Sequence, residues 1–368
     1  MLAAFVEQLK SSLHESFLGQ HPWLQWLARE TIALLTGPLT GERTRYYWPE
    51  LVGAILFAAV VFLLRDRRHG DRFAAFLGYL FPRKVFIHPS TWVDIKILVA
   101  NHFVVPAINI TWRLGSPLFV GLLLGLMTAA FGPAPRNLEW SGTTIVLYTL
   151  VFFMAEDFGY FVYHYLMHRV PWLWAFHKVH HSAETLQVFA NVRSHPVEHI
   201  LGLPFSGAIT ALVIAPALYF GVGEAPYATV LGFSLFTMIA VAVAGQLHHS
   251  HIWISWGPTL EHVLISPAMH HIHHSTAERH WNKNMGGTIA LWDWIFGTIF
   301  IPKGYEKLNF GVGEGVVQPH PTLLAAYLVP FLEILPFRDR LFDRIAPFVK
   351  HLPASLKSTL ASGDRASQ

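Results

Sequence analysis

Two runs near the middle of the chain, residues 200–223 and 225–247, extend for 24 and 23 residues with only Glu224 as a charge between them. A helix of about 20 apolar residues crosses the roughly 30 Å hydrocarbon core of a bilayer. Charge-free stretches of this length constrain the fold more than any other feature. Residues 114–135 add 22 uncharged positions between Arg113 and Arg136, and residues 140–155 continue past Glu156 and Asp157 to His164. Residues 51–64 form a shorter run that Tyr46, Tyr47 and Trp48 extend as an interfacial aromatic belt. Residues 97–112, with His102 and Pro106, and 321–337, with Pro330, Glu333 and Pro336, either span or lie at the interface. The expectation is an all-α, polytopic membrane helical bundle of four to six spans.

Composition agrees. Apolar residues make up 53% and charged residues 13%, against about 25% charge in a soluble domain, and mean hydropathy is +0.39. So little charge cannot coat a soluble globule, and so much apolar surface excludes disorder. Lys+Arg 26 against Asp+Glu 23 leaves only +3, too small an excess for a charge-driven nucleic-acid binder. Leu2, Phe5, Val6, Leu9 and Leu13 recur at helical spacing, which predicts an amphipathic N-terminal helix rather than a signal peptide. Arg65, Arg67, Arg68, Arg72, Arg83 and Lys84 follow the first span, which puts that loop in the cytoplasm. Arg169, Lys178, Arg193, Arg279 and Lys283 place the histidine-rich segments on the same side. The polar tail of residues 355–368 is expected to fray.

Histidine supplies the chemistry. Sixteen of the 23 fall between His164 and His280, in clusters. His164 and His168 are an i,i+4 pair at the end of an apolar run, and so share a helical face. His177, His180 and His181 repeat this geometry at i, i+3 and i+4, and His270, His273 and His274 reproduce the same HxxHH spacing. His248, His249 and His251 follow the last long apolar run; His195, His199, His262 and His280 lie nearby without matching spacing. Eight or more imidazoles exceed the four ligands of a structural zinc and suit two metal ions with open positions. Imidazole alone does not choose among iron, copper, nickel and zinc. An apolar membrane setting suits O2 chemistry on a C–H bond, for which zinc has no redox change. Cysteine is absent, which excludes disulfides, thiolate zinc and cysteine-held iron–sulfur clusters.

At these residues the chain resembles the fatty acid hydroxylase / sterol desaturase superfamily of membrane non-haem di-iron oxygenases. Asp157 and Tyr160 precede His164 and His168; Trp174 leads to His177, His180, His181 and Ser182; Arg193, His195, Pro196 and Glu198 follow. Pro267 precedes the third box, and Asn284, Gly286, Trp292, Asp293, Phe296, Gly297 and Thr298 close the pattern, over about residues 153–301. Tyr165 stands where many members carry Arg, His271 is an extra imidazole in the third box, and His251 replaces a family Asn two places after His249. The resemblance implies two iron ions held by His164, His168, His177, His180, His181, His249, His270, His273 and His274, with Asp157, Glu198, Asn284 and Asp293 as their supporting polar groups. Asp293 is equally read as a turn residue. It implies a membrane lipid, of sterol or fatty-acyl type, hydroxylated or desaturated with O2 in lipid biosynthesis.

Electrons would come from outside, through a ferredoxin or a cytochrome b5-like protein with its reductase. The Gly311, Gly313, Gly315 fragment follows no strand, and His88-Pro89 and His195-Pro196 lack the glycines of a cytochrome b5 motif. Three segments are expected: residues 1–145 as an amphipathic and transmembrane region, 146–305 as the catalytic domain, and 306–368 as a membrane-associated segment and tail. The alternatives are an alkylglycerol ether monooxygenase-like activity in the same superfamily and, in another class, a histidine-rich metal transporter. A transporter would need ionisable residues along its spans, and residues 200–223 and 225–247 carry none. A bis-histidine haem protein would set its pairs deep within separate spans, whereas these crowd at span ends.

Overall fold

The computed structural model describes residues 22–40, 48–65, 71–107, 116–226, 228–230, 233–240 and 245–336. The amphipathic N-terminus, Tyr46 and Tyr47, residues 66–70 of the basic loop and the 355–368 tail lie outside the described residues. Helix dominates. α1 (Pro22–Thr40), α2 (Trp48–Arg65), α3 (Arg72–Leu80), α4 (Arg83–Phe86), α5 (Pro89–Ala107) and α6 (Ser116–Phe131) precede the long α7 (Gly142–Arg169). α8 (Pro171–His181), α9 (Pro196–Phe220), a minimal antiparallel pair β1 (Thr229–Val230) and β2 (Phe233–Ser234), and α10 (Leu235–Ala240) follow. The chain continues through α11 (Pro267–His273), α12 (Leu291–Phe296) and α13 (Leu323–Ile334).

Local chemistry sets the boundaries that matter. Ser141 opens α7 with a capping box, its hydroxyl accepting from Thr144 N and Thr144 Oγ1 accepting from Ser141 N. Pro171 closes it, because the residue before a proline is driven out of the helical region, and the same proline serves as N1 of α8. His195 caps α9 through Nδ1, which accepts from Val197 N, while Glu198 Oε1 accepts from His195 N. Ser266 caps α11 by accepting from Met269 N.

α7 and α9 are long and apolar enough to cross a membrane, and only 28% of the most apolar window of each is buried. A core helix of a soluble protein would be mostly covered. α7 spans about 42 Å at 1.5 Å per residue, so it outreaches a hydrocarbon core of about 30 Å. The two pack closely: a Cβ on Gly159 would lie 3.0 Å from Ser206 Cα, and one on Gly202 would lie 3.0 Å from the Tyr163 ring. α6 lies against α9 through Val120, Ala211 and Ala215. Residues 51–64, 116–131 and 323–334 form shorter apolar helices.

Residues 225–247 do not form the single span that their lack of charge predicts. Among the described residues of this stretch, Pro226 lies in non-helical chain, β1 and β2 pair antiparallel, and the helix α10 covers six residues. Ala228 N donates to Thr149 Oγ1 of α7 at 2.8 Å, and Phe236 packs on Phe153. Irregular backbone is tolerated at membrane depth where protein satisfies its polar groups, and periodicity carries no information about such a non-local partner.

Beyond the end of α7, the helices α8, α11 and α12 and the loop segments 245–266 and 274–310 gather as a cap, tied by contacts such as Trp253–Tyr305 and the Ser275–Phe310 bridge. The outer face of α8 is held by α5 and α13: Val179 packs with Val93, Ile97 and Ala326, Phe176 meets Phe331, and Lys178 Nζ pairs with Glu333 Oε2 at 2.5 Å. Its inner face carries histidines.

Candidate metal centre

Nine buried imidazoles converge from four segments in two adjacent groups. His164 and His168 from α7, His177 and His181 from α8, and His273 from α11 form one; their ligand nitrogens lie within 4.8 Å of one another. His180 from α8, His249 from the turn after α10, and His270 and His274 at α11 form the other. The HxxHH spacing explains the split. At about 100° per residue, i and i+4 project about 40° apart while i+3 sits on the other flank. α8 therefore gives the His177/His181 pair to the first group and His180 to the second. α11 does the reverse, with His270/His274 in the second group and His273 in the first. The groups touch where the His181 and His274 rings stack at 4.6 Å.

Outer acceptors orient the rings. His164 Nδ1 donates to Met285 O at 2.7 Å, His177 Nδ1 to Glu198 Oε2 at 2.8 Å, His180 Nδ1 to Arg193 O at 2.9 Å and His273 Nδ1 to Lys283 O at 2.9 Å. A carbonyl oxygen can only accept, so the proton resides on Nδ1 and a neutral ring directs the Nε2 lone pair inward. His164 Nε2 and His177 Nε2 thus face each other at 3.1 Å as two acceptors. In the second group the Nε2 atoms of His249, His270 and His274 form a closed triangle with edges of 3.0, 3.1 and 3.1 Å, and His180 Nε2 lies 3.1 Å from that of His249. The centre of that triangle is about 1.8 Å from each nitrogen, within the roughly 2.0–2.1 Å reach of a metal–imidazole bond.

Several ring nitrogens have no hydrogen-bond partner: both on His168, both on His181, and His273 Nε2. An unsatisfied buried polar atom costs about 1–3 kcal/mol, and crowded lone pairs raise that cost. A shared cation removes it. Burial, reinforced by neighbouring imidazoles, holds His177, His181, His249, His270 and His274 well below the usual histidine pKa, and burial with His164 and His180 does so for His273. The rings are kept neutral, as metal ligands must be. The donor set therefore fits two cations, each held by nitrogen.

Glu198 meets the centre directly, through His177. Asp157 and Asn284 act one step further out, and neither touches a box imidazole among the described residues. The Asp157 carboxylate accepts from Thr288 N, Ile289 N and Trp292 Nε1 at 2.9, 3.1 and 3.0 Å. Asn284 donates to Met269 O and Phe300 O and accepts from Phe300 N. Asp293 accepts from Met285 N and Gly286 N, each at 2.7 Å. All three brace the 283–289 loop, whose carbonyls at Lys283 and Met285 orient His273 and His164. A tight loop must turn its amides toward carboxylates, so these side chains are spent on backbone. A Cβ on Gly286 would lie 2.7 Å from Ile289 O, and Asn284 adopts φ +54°, which asparagine tolerates.

Other histidines lie outside the two groups. His248 Nε2 pairs with Ile265 O, His251 Nε2 with Tyr79 O, His262 Nδ1 with Pro258 O, and His199 Nε2 with Ser194 Oγ. His271 packs beside Trp253, and His280 Nε2 accepts from Arg279 Nε. Spacing did not reveal the importance of Asp94 and Arg193. Arg193 Nη1 pairs with Asp94 Oδ1 at 2.7 Å, both fully buried, and the guanidinium also donates to Val179 O and Ser182 Oγ. This clamp fixes the carbonyl that orients His180. The available signal was an arginine inside a motif otherwise made of neutral and acidic groups.

Residues 149–298 match the family model described as fatty acid hydroxylase. Alkylglycerol monooxygenase of Homo sapiens is 30% identical over 170 residues, covering 46% of this chain and 33% of that protein. Ornithine lipid hydroxylase OlsE of Rhizobium tropici is 27% identical over 172 residues, covering 47% of each. Very-long-chain aldehyde decarbonylase GL1-8 of Oryza sativa subsp. indica is 30% identical over 167 residues, covering 45% of this chain and 55% of that protein. The chain thus spans about a third to just over half the length of these relatives. No solved structure matches.

Proposed function

Residues 149–298 belong to the fatty acid hydroxylase superfamily, and from that premise we propose that the chain is a membrane-bound di-iron oxygenase that hydroxylates a lipid. The observation that carries the reading is the convergence of nine buried imidazoles inside the matched region, at the end of an apolar helix too long for the hydrocarbon core. Hydroxylation is favoured over desaturation because two of the similar proteins are named a monooxygenase and a hydroxylase. An alkylglycerol and an ornithine lipid are the substrate classes those names suggest. Residues 146–305 are the catalytic unit of this reading.

Two iron ions, when bound, would supply O2 activation with electrons from a ferredoxin or a cytochrome b5-like donor. His164, His168, His177, His181 and His273 would hold one and His180, His249, His270 and His274 the other. The protein's part is to set those ligands and keep them neutral. Glu198 retains the His177 Nδ1 proton and the carbonyls at 193, 283 and 285 retain those of His180, His273 and His164, so every such lone pair stays available. Burial of the nine rings excludes bulk water. A lipid tail would approach from the bilayer along α7, where leaving hydrocarbon for an apolar protein surface costs little. The cap would lie on the cytoplasmic face, with its basic side chains toward the donor.

Metal analysis of the purified chain, with lipid profiling of cells with and without it, tests this. Two irons per chain and a lipid that gains one oxygen atom only in the presence of O2 are expected. Full-occupancy haem, or wild-type product from His180→Ala and His273→Ala variants, overturns the reading.

A further inference from the structure

α12 and the 258–264 turn form one apolar lobe on the cap. Leu260 is 55% exposed, Val263 52%, Trp294 58% and Ile295 63%. The two pieces are joined: Leu264 bridges to Ile289, Ala290 N donates to Val263 O, and the Trp294 ring meets His262 edge-on. The charged residues of these stretches, Glu261 and Asp293, are fully buried, so the lobe shows solvent no carboxylate, lysine or arginine. Contiguous exposed apolar surface of this kind marks an interaction site.

We propose that this lobe is immersed in the bilayer at the hydrocarbon–headgroup boundary, in the leaflet of the metal centre, with lipid as its partner. The inference rests on the reading of α7 and α9 as membrane spans. Its argument is continuity with the apolar face of α7. Phe296 packs on Phe161 at 5.1 Å and on Tyr165 at 6.2 Å, and Trp292 packs on Phe158 at 4.9 Å. Phe158 lies about 24 Å and His164 about 33 Å along α7 from its first residue at 1.5 Å per residue, so the lobe straddles the end of a roughly 30 Å core. Trp294 occupies the depth at which tryptophan is enriched. The lobe also bears on the site. Asp293 of α12 holds Met285 N, and Met285 O holds His164, so the immersed helix anchors a ligand-orienting loop at headgroup depth.

Because the chain has no cysteine, Leu147→Cys, Ile295→Cys and Tyr305→Cys each accept a single nitroxide label in the full-length, iron-loaded protein. The variants are reconstituted in phosphatidylcholine vesicles, and label collision is measured with O2 and with a water-soluble nickel chelate. Leu147 on α7 and Tyr305 on the cap are the lipid and water references, both strongly exposed. The oxygen-to-nickel collision ratio at 295 is expected to approach that at 147 and to exceed that at 305 by on the order of tenfold. A nickel-dominated label at 295 beside an oxygen-dominated one at 147 overturns the inference and leaves the spans standing. A label at 295 shielded from both reagents, as by a second copy or another protein, also overturns it. A nickel-dominated label at 147 removes the spans, and the inference with them.

Discussion

His270 and His271 are adjacent in the chain and do opposite things. The first points its Nε2 into a triangle of nitrogens, whereas the second packs beside Trp253 on the other face of α11. His271→Asn is therefore expected to leave iron content unchanged, and His270→Asn to empty the second group; iron per chain in the purified variants checks both. Glu198→Gln leaves one acceptor oxygen where the carboxylate serves both His177 Nδ1 and His195 N. Loss of such a supporting contact weakens metal binding by about 10- to 100-fold, read by iron titration of the apoprotein. Asp94→Ala strands a fully buried guanidinium, which costs about 3–5 kcal/mol. A fall in the thermal unfolding midpoint in detergent, with Arg193 unchanged, measures it. Asp94 lies about a hundred positions before Arg193, and no spacing rule links a carboxylate on one helix to a guanidinium on a distant loop.

At the scale of the helix, the angular arithmetic of HxxHH decides which cation each imidazole serves. One alanine inserted after Lys178 would turn His180 and His181 by about 100° relative to His177. Both groups lose a ligand at once, and iron per chain is expected to fall well below that of a single His→Ala variant. The helical pattern of α7, α8 and α11 was legible because capping groups and prolines mark their ends locally. Residues 225–247 depart from the expected span for the complementary reason. Apolarity without periodicity states only that a segment is buried or in lipid, and the hydroxyl of Thr149 that accommodates a bent backbone there lies on another helix.

For the molecule as a whole, acid is the natural challenge. Imidazoles of the two groups are held below their usual pKa by burial, while an unfolded chain takes up protons near pH 6.5. Stability from these rings is thus complete above about pH 6.5 and is lost as pH falls toward their folded values. Each ring that only the unfolded chain protonates costs about 1.4 kcal/mol per pH unit. Protons also compete with bound cations for the same lone pairs. Iron retained after desalting is expected to be full at pH 7–8 and to drop cooperatively below about 6.5. Undiminished retention well into the acid range would contradict the all-imidazole ligand set.

The membrane character of the chain, eight of the nine imidazoles and the helices that carry them follow from composition and from spacings of three and four residues, because those are local properties of an α-helix; His249, outside any such spacing, follows from the family resemblance. Their division into five and four, the role of Asp157, Asn284 and Asp293 as braces of a loop rather than partners of histidine, and the Asp94–Arg193 clamp were decided by the tertiary structure. Each depends on which buried polar group finds which partner, 99 residues away for Arg193 and Asp94, 131 for Asp157 and Thr288, and 7 to 16 within the loop that Asp293 and Asn284 brace, and a hydrogen bond of that kind leaves no periodic trace in the order of amino acids.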